Sequence, residues 1–236
     1  MTLERMDINE SADRLQIVLH RNRYDFVRER LPRAQAVLEI GTGLGTFTQE
    51  LLPQCGRYTG VEFDPEACAA ARRKNPTAEI IQGDARKLPF ADQQFSFIVC
   101  LEVLEHLGDW QAGVQNIHRC LQPEGRAIVS VPWRRRGGKC DVNEFHVYEP
   151  GEAELVALFQ KLFTSVEVYY QYFEETAWMT LARRLHLRRF LGLSRVYADL
   201  SAGLPSATAR LHIGQEPKGM KQGLILVASG KKQPAI

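Results

Sequence analysis

No pair of cysteines in this 236-residue chain has CxxC spacing. The five present, Cys55, Cys68, Cys100, Cys120 and Cys140, are odd in number and widely scattered, so neither a disulfide framework nor a zinc site is indicated. Reduced thiols in a cytoplasmic protein are the simpler expectation. Long apolar runs are missing too. The longest, such as 97–101 and 223–228, are far too short to cross a bilayer. The first residues, MTLERMDINESADR, carry charges where a secretion signal needs an apolar centre. Nor is there an excess charge of one sign: 30 basic against 28 acidic residues leave +2, which argues against a surface built for nucleic acid. Repeats and low-complexity blocks are lacking.

What remains is an ordinary globular composition, 44% hydrophobic and 25% charged, in a chain long enough to bury a sizeable core. An amphipathic helix follows Asn9 and ends near Pro32. Short apolar runs then alternate with helical patterns. Strands are predicted at 36–40, 57–62, 79–82, 95–100 and 126–131, and helices at 46–52, 65–74, 103–107 and 111–121. This rhythm predicts βαβ units, hence a parallel sheet covered by helices on both faces. After Pro132 come a loop with Arg134, Arg135, Arg136 and Lys139, a helix at 151–162, and closing strands at 166–172 and 224–229. A basic, mostly helical stretch separates those two strands.

The sharpest motif is Val37-Leu38-Glu39-Ile40-Gly41-Thr42-Gly43-Leu44-Gly45. Glycines at a strand-to-helix turn permit positive φ and let a ligand approach the backbone, and the following helix would offer N–H groups to an anion. The spacing is GxGxG, with Thr46 where a dinucleotide fingerprint needs its third glycine. Glu39, two residues before the first glycine, suits a cationic ligand better than a pyrophosphate. Glu62 closes the second strand, where a carboxylate can accept two ribose hydroxyls. Asp64, followed by Pro65 and Glu66, reads as a helix cap.

With Gln82-Gly83-Asp84-Ala85, Leu88-Pro89-Phe90 and the stretch from Phe95 to Leu107, these segments resemble, in order, the motifs of class I S-adenosylmethionine-dependent methyltransferases. The likeness is to the type-11 branch, which includes ubiquinone-biosynthesis methyltransferases. It covers residues 35–133 well and the closing strands loosely. Ser96 stands where the family usually has Asp, and Glu124 where it usually has Gly.

The resemblance implies a Rossmann-like, mostly parallel seven-stranded sheet with helices on both faces and a helical insertion before the last strand. It also implies S-adenosyl-L-methionine as cofactor, held by Glu39, Gly41, Thr42, Gly43, Gly45, Glu62, Phe63, Asp84, Ala85, Cys100, Leu101 and His106. Asp84 would accept from the adenine amino group. A single domain is expected, with a helical segment at 1–34, a cofactor core at 35–132 and an acceptor-side region at 133–236. Its insertion, 174–221, would form a lid. There Trp178, Met179 and leucines mix with Arg183, Arg184, Arg188 and Arg189, so residues 177–191 could instead touch a membrane surface.

Two histidines are candidates for catalysis, His106 and His146, because a hydroxyl or amine acceptor must lose a proton. Glu102, Glu105 and His106 can share a helical face, but one imidazole with two carboxylates is undiscriminating, and no metal is expected. The reading is methyl transfer to an oxygen, ahead of a nitrogen, of a small molecule such as a sugar or natural-product intermediate. The alternatives are a quinone or lipid acceptor, a nicotinamide-dependent dehydrogenase, and a non-catalytic nucleotide-binding protein. Oligomeric state stays open.

Overall fold

Strands that must bury both faces favour a parallel sheet between helical layers, and the computed structural model has one. It describes residues 14–33, 35–140, 143–174, 211–217 and 219–232. Helices α1 (Arg14–Arg30), α2 (Thr48–Leu51), α3 (Pro65–Lys74), α4 (Trp110–Cys120) and α5 (Glu152–Leu162) pack around eight strands. These are β1 (Gln35–Ile40), β2 (Cys55–Glu62), β3 (Glu79–Gln82), β4 (Phe95–Leu101), β5 (Leu121–Pro132), β6 (Phe163–Glu174), β7 (Leu211–Gly214) and β8 (Gly219–Lys231). Their order is β3-β2-β1-β4-β5-β8-β6-β7. The pairs from β3 to β5 are parallel, and β8 joins β5 and β6 antiparallel.

Alternation along the strands sorts the core into two layers. Leu38, Ile98, Cys100 and Val129 face α4 and α5, packing with Val114, Ile117, Leu155 and Phe159. Val37, Phe97, Val99 and Ile128 face α1 and α3, packing with Phe26, Val27, Cys68 and Ala71. Asp64 caps α3: its Oδ1 accepts from Ala67 N at 2.8 Å, with Pro65 at the first helical position. Asp64→Ala should therefore cost about 1 kcal/mol of stability in urea unfolding while leaving cofactor affinity within about twofold. Ser96, the departure from the family's Asp, ties β4 to β1 by itself. Ala36 N donates to its Oγ at 3.1 Å, and that hydroxyl donates to Ala36 O at 3.3 Å.

Three expectations need correction. The sheet has eight strands rather than seven, because Leu211–Gly214, placed in the helical insertion, pairs antiparallel with Tyr170–Phe173. Four half-exposed residues at an edge carry too little alternation to announce a strand; pairing makes it one. The helix expected at 46–52 is cut to Thr48–Leu51 and a 3₁₀ turn at Leu52–Gln54, where Pro53 has no N–H to continue the ladder. The helix expected at 103–107 is a 3₁₀ turn, Leu104–His106, entered through Glu102 at φ +54°. Residues 1–13 and the body of the expected lid, including Trp178, Met179, Arg183, Arg184, Arg188, Arg189 and all of 177–191, lie outside the described residues. Among those described, no helix is long and apolar enough to cross a membrane.

Candidate functional site

Crossovers leave β1 and β4 in opposite directions, and ligands of open α/β sheets settle at that reversal, beyond the strands' carboxyl ends. A cavity of about 760 Å³ lies there, within the ~300–1,000 Å³ range of small-molecule sites. It collects the ends of β1, β2 and β4, the Asp84 loop, one face of α1, and the segment around His146.

The glycine turn is tightly specified. Gly41, Gly43 and Gly45 all have positive φ, at +79°, +54° and +68°. A Cβ on Gly41 would come within 2.3 Å of Val103 Cγ2, whereas Gly43 faces open space. Four of the turn's N–H groups are already engaged within the protein. Gly41 N and Thr42 N donate to Val61 O, Gly45 N donates to Thr42 O, and Gly43 N donates to Glu62 Oε2 at 2.8 Å. Helix α2 begins only at Thr48 and spans four residues. What this loop offers is close approach.

Glu62 is clasped from both sides, since its Oε1 also accepts from Asp64 N at 2.9 Å. It is only 9% exposed and lines the cavity. Both oxygens keep further lone-pair capacity. Beside it Phe63, 59% exposed, lays an aromatic ring at the cavity's edge. Thr42 lines the wall with a buried Oγ1 that has no hydrogen-bond partner. Asp84 and Ala85 form the far wall. Arg86 Nη2 bonds Asp84 at 2.6 Å, and this guanidinium holds the carboxyl below its usual range.

Three residues expected at the cofactor, Gly45, Glu39 and Cys100, do not line the cavity. Glu39 does not line the cavity. It points with Val37 toward α1, fully buried, and accepts hydrogen bonds from the hydroxyls of Tyr24, Tyr58 and Thr48. Burial outweighs these bonds and raises its pKa. Cys100 is likewise absent from the lining. It faces the α4 and α5 layer, where burial drives its thiol pKa far upward, while its neighbour Leu101 reaches the cavity.

Sequence reasoning missed Arg23. It lies on the apolar stripe of α1, in step with Leu19, Phe26 and Val27, and is 3% exposed. A cation on a buried stripe is the signal that could have found it. Its Nη2 pairs with Glu102 Oε2 at 3.1 Å, while Nε and Nη1 are buried without a partner at the cavity wall. Glu102 is fixed in turn by Ser130, whose hydroxyl donates to Oε1 at 2.7 Å.

The helical face that Glu102, Glu105 and His106 could have shared is thereby broken. Glu102 turns to Arg23, while His106 meets His146 edge-on, with ring centroids 4.9 Å apart. His106 Nδ1–H donates to Phe145 O at 3.0 Å, and His146 Nδ1 lies 2.6 Å from Glu149 Oε1. Burial works to raise the Glu149 pKa, but hydrogen bonds from His146, Cys140 and Arg134 outweigh it and hold the carboxyl below its usual range. Glu105 is 1% exposed, with neither oxygen accepting a hydrogen bond; burial and then the charge of Glu102 push its pKa well up.

Known proteins resemble this chain in sequence and in fold. Residues 38–129 match the Methyltransf_11 family, a methyltransferase domain. A probable S-adenosylmethionine-dependent methyltransferase of Mycolicibacterium smegmatis is 32% identical over 61% of this chain and 59% of its own. A demethylmenaquinone methyltransferase of Chlorobaculum parvum is 34% identical over 44% of this chain and 42% of its own. A dTDP-3-amino-3,4,6-trideoxy-alpha-D-glucopyranose N,N-dimethyltransferase of Streptomyces venezuelae is 31% identical over 46% and 47%. The chain thus spans about half the length of the curated relatives it matches. Among solved structures, the YcgJ protein of Bacillus subtilis superposes with a TM-score of 0.62 at 18% identity, over 92% of this chain and 100% of the other. That likeness speaks to the fold.

Proposed function

This chain carries a class I S-adenosylmethionine-dependent methyltransferase domain of the type-11 branch, and from that premise we propose that it transfers the cofactor's methyl group to an oxygen, ahead of a nitrogen, of a small molecule. The observation that carries the reading is a single cavity in which the ends of β1, β2 and β4 meet two imidazoles. The lining fits the cofactor: a glycine with no Cβ at an open wall, a fixed carboxylate, an exposed aromatic ring and an unpartnered guanidinium edge. Bound there, S-adenosylmethionine supplies a methyl group activated by a sulfonium.

The residues divide the work as follows. Glu62 accepts from the ribose hydroxyls, Phe63 covers the adenine face, and Asp84 with the Ala85 backbone meets the adenine edge. Gly41, Gly43 and Thr42 admit the cofactor against the backbone, and Leu101 packs on it. Gly45 supports the turn from below, where a Cβ would stand 2.5 Å from Asn75 Nδ2. Arg23 pairs with the amino-acid carboxylate. Glu39 and Cys100 act only as packing behind that wall. At the other end of the cavity, His146 receives the acceptor's proton and Glu149 orients its ring. His106 stands beside it. Alignment of the acceptor lone pair behind the methyl group does the rest.

The first test is thermal. S-adenosylhomocysteine should raise Tm, because a ligand that binds only the native state stabilises it, and NADH should not. A rise with NADH alone would replace this reading by a dehydrogenase. Glu62→Ala should weaken S-adenosylhomocysteine binding by about 1.5–3 kcal/mol, roughly 10- to 150-fold by calorimetry. An unchanged affinity would mean the ribose site has been assigned to the wrong strand end.

A further inference from the structure

We propose that Arg135, Arg136 and Lys139 form a recognition patch for a phosphate group beside the cavity, and that the methyl acceptor carries such a group. The second half rests on the methyltransferase reading; the first does not. Residues 133–140 hold four cations and no acid, in a chain whose net charge is only +2. The four divide. Arg134 is answered by the buried Glu149. Arg135, Arg136 and Lys139 are exposed and enter no ion pair among the described residues. Like charges set so close repel one another unless an anion gathers them. A guanidinium meets phosphate through two parallel N–H bonds and an ammonium adds a compact charge, so the set suits a phosphate better than a lone carboxylate.

Position and seating single out this loop. Pro132 before it and Cys140 after it both line the cavity, so the chain springs from the cavity wall and returns to it. It is fastened on the way. Gly138 N donates to Glu149 O at 3.1 Å, Glu149 N donates to Gly138 O at 2.9 Å, and Glu152 N donates to Arg134 O at 2.9 Å. At Gly137 a Cβ would stand 1.8 Å from Glu154 Oε1 and 2.4 Å from the Tyr148 hydroxyl. At Gly151, the residue before α5, it would stand 2.9 Å from the Arg136 carbonyl carbon. Backbone so closely seated holds the roots of the three side chains, which lowers the ordering cost of binding. Glu149 joins the patch to the chemistry. One of its oxygens takes Arg134, at the start of the loop, and the other lies 2.6 Å from His146 Nδ1. A single carboxylate thereby fixes both the loop that would hold the acceptor and the ring that would take its proton.

The experiment titrates the full chain, saturated with S-adenosylhomocysteine, with inorganic pyrophosphate by calorimetry, and separately floats it with phosphatidylcholine vesicles containing phosphatidylglycerol. One variant combines Arg135→Gln, Arg136→Gln and Lys139→Gln. The control combines Arg73→Gln with Lys161→Gln, two exposed cations on α3 and α5. Saturable pyrophosphate binding is expected, weakened at least about tenfold in the triple variant and unchanged in the control. S-adenosylhomocysteine affinity within about twofold in every variant reports that the fold is kept. With the methyl-accepting fraction of an extract, the triple variant should raise the acceptor KM at least about tenfold and leave kcat within about threefold. Pyrophosphate binding without vesicle binding puts the phosphate on a soluble molecule, whereas vesicle binding lost in the triple variant puts it on a lipid headgroup. Binding of neither probe, or equal binding by parent and triple variant, overturns the proposal. The two readings fail separately. If S-adenosylhomocysteine binds and neither probe does, the methyltransferase reading stands and the patch is removed. If a probe binds with this mutational pattern and S-adenosylhomocysteine does not, the patch stands and the methyltransferase reading falls.

Discussion

A chain with His146 replaced by alanine should bind S-adenosylhomocysteine within about twofold of the parent and turn over its acceptor about 10²–10⁴-fold more slowly, the range a positioned proton acceptor contributes. The split between affinity and turnover matters because His146 reaches the cavity from the segment after β5, a different stretch of chain from the glycine turn and Glu62. Its ring is oriented through Nδ1 by Glu149, whose carboxylate Arg134 and Cys140 also engage. Glu149→Gln keeps the shape of that support and removes its charge. It should lower kcat less than His146→Ala does, and it should shift the acidic limb of the pH–rate profile to lower pH, because the imidazolium loses its counter-charge. The measurement is single-turnover methylation with labelled cofactor, using an acceptor drawn from fractionated extract. Unchanged turnover in His146→Ala, with cofactor bound, would move proton acceptance away from this segment.

The part of the cavity wall built by β1 and β2 was legible because it is written in local geometry. A strand, a turn that needs positive φ and a carboxylate at the next strand's end occupy consecutive stretches of chain, and the backbone alone brings Gly43 to Glu62. Helix α3 could be read to the residue because Asp64, Pro65 and Glu66 mark its start unambiguously. Where several chain segments compete for one side chain, sequence was a poor guide. Glu39 reads as a ligand beside its glycines, but strand alternation turns it to the α1 layer, where two tyrosines wait. Glu102, Glu105 and His106 read as one helical face, and a left-handed Glu102 parts them. Arg23 is the converse, a residue whose role depends on a partner 79 positions away and which periodicity alone would assign to an error in the stripe.

Glu39→Ala should therefore be among the most damaging changes to the fold, costing about 3–5 kcal/mol in urea unfolding against a total stability of about 5–15 kcal/mol. The carboxylate accepts from Tyr24, Tyr58 and Thr48, the last at 3.1 Å, and all four residues are buried. Removing it leaves three hydroxyls without their acceptor in a dry layer between α1 and β2. Tyr24→Phe removes one donor only and should cost about 1 kcal/mol. Burial also gives the site a signature in pH. The folded-state pKa of Glu39 is raised above that of an unfolded carboxylate, so the native protein holds this proton to higher pH than the unfolded chain does. Stability from this group is then greatest below the ordinary carboxylate range and declines as pH rises from that range through the raised native pKa. Glu39→Gln, which cannot ionise, should lack that decline while keeping one oxygen to accept. Because Tyr24 lines the cavity on its other side, loosening the layer in Glu39→Ala should also weaken S-adenosylhomocysteine, although Glu39 never reaches it. Equal slopes of stability against pH for the parent and Glu39→Gln would show that Glu39 titrates as an ordinary carboxylate, and that the buried cluster holds a charge rather than a proton.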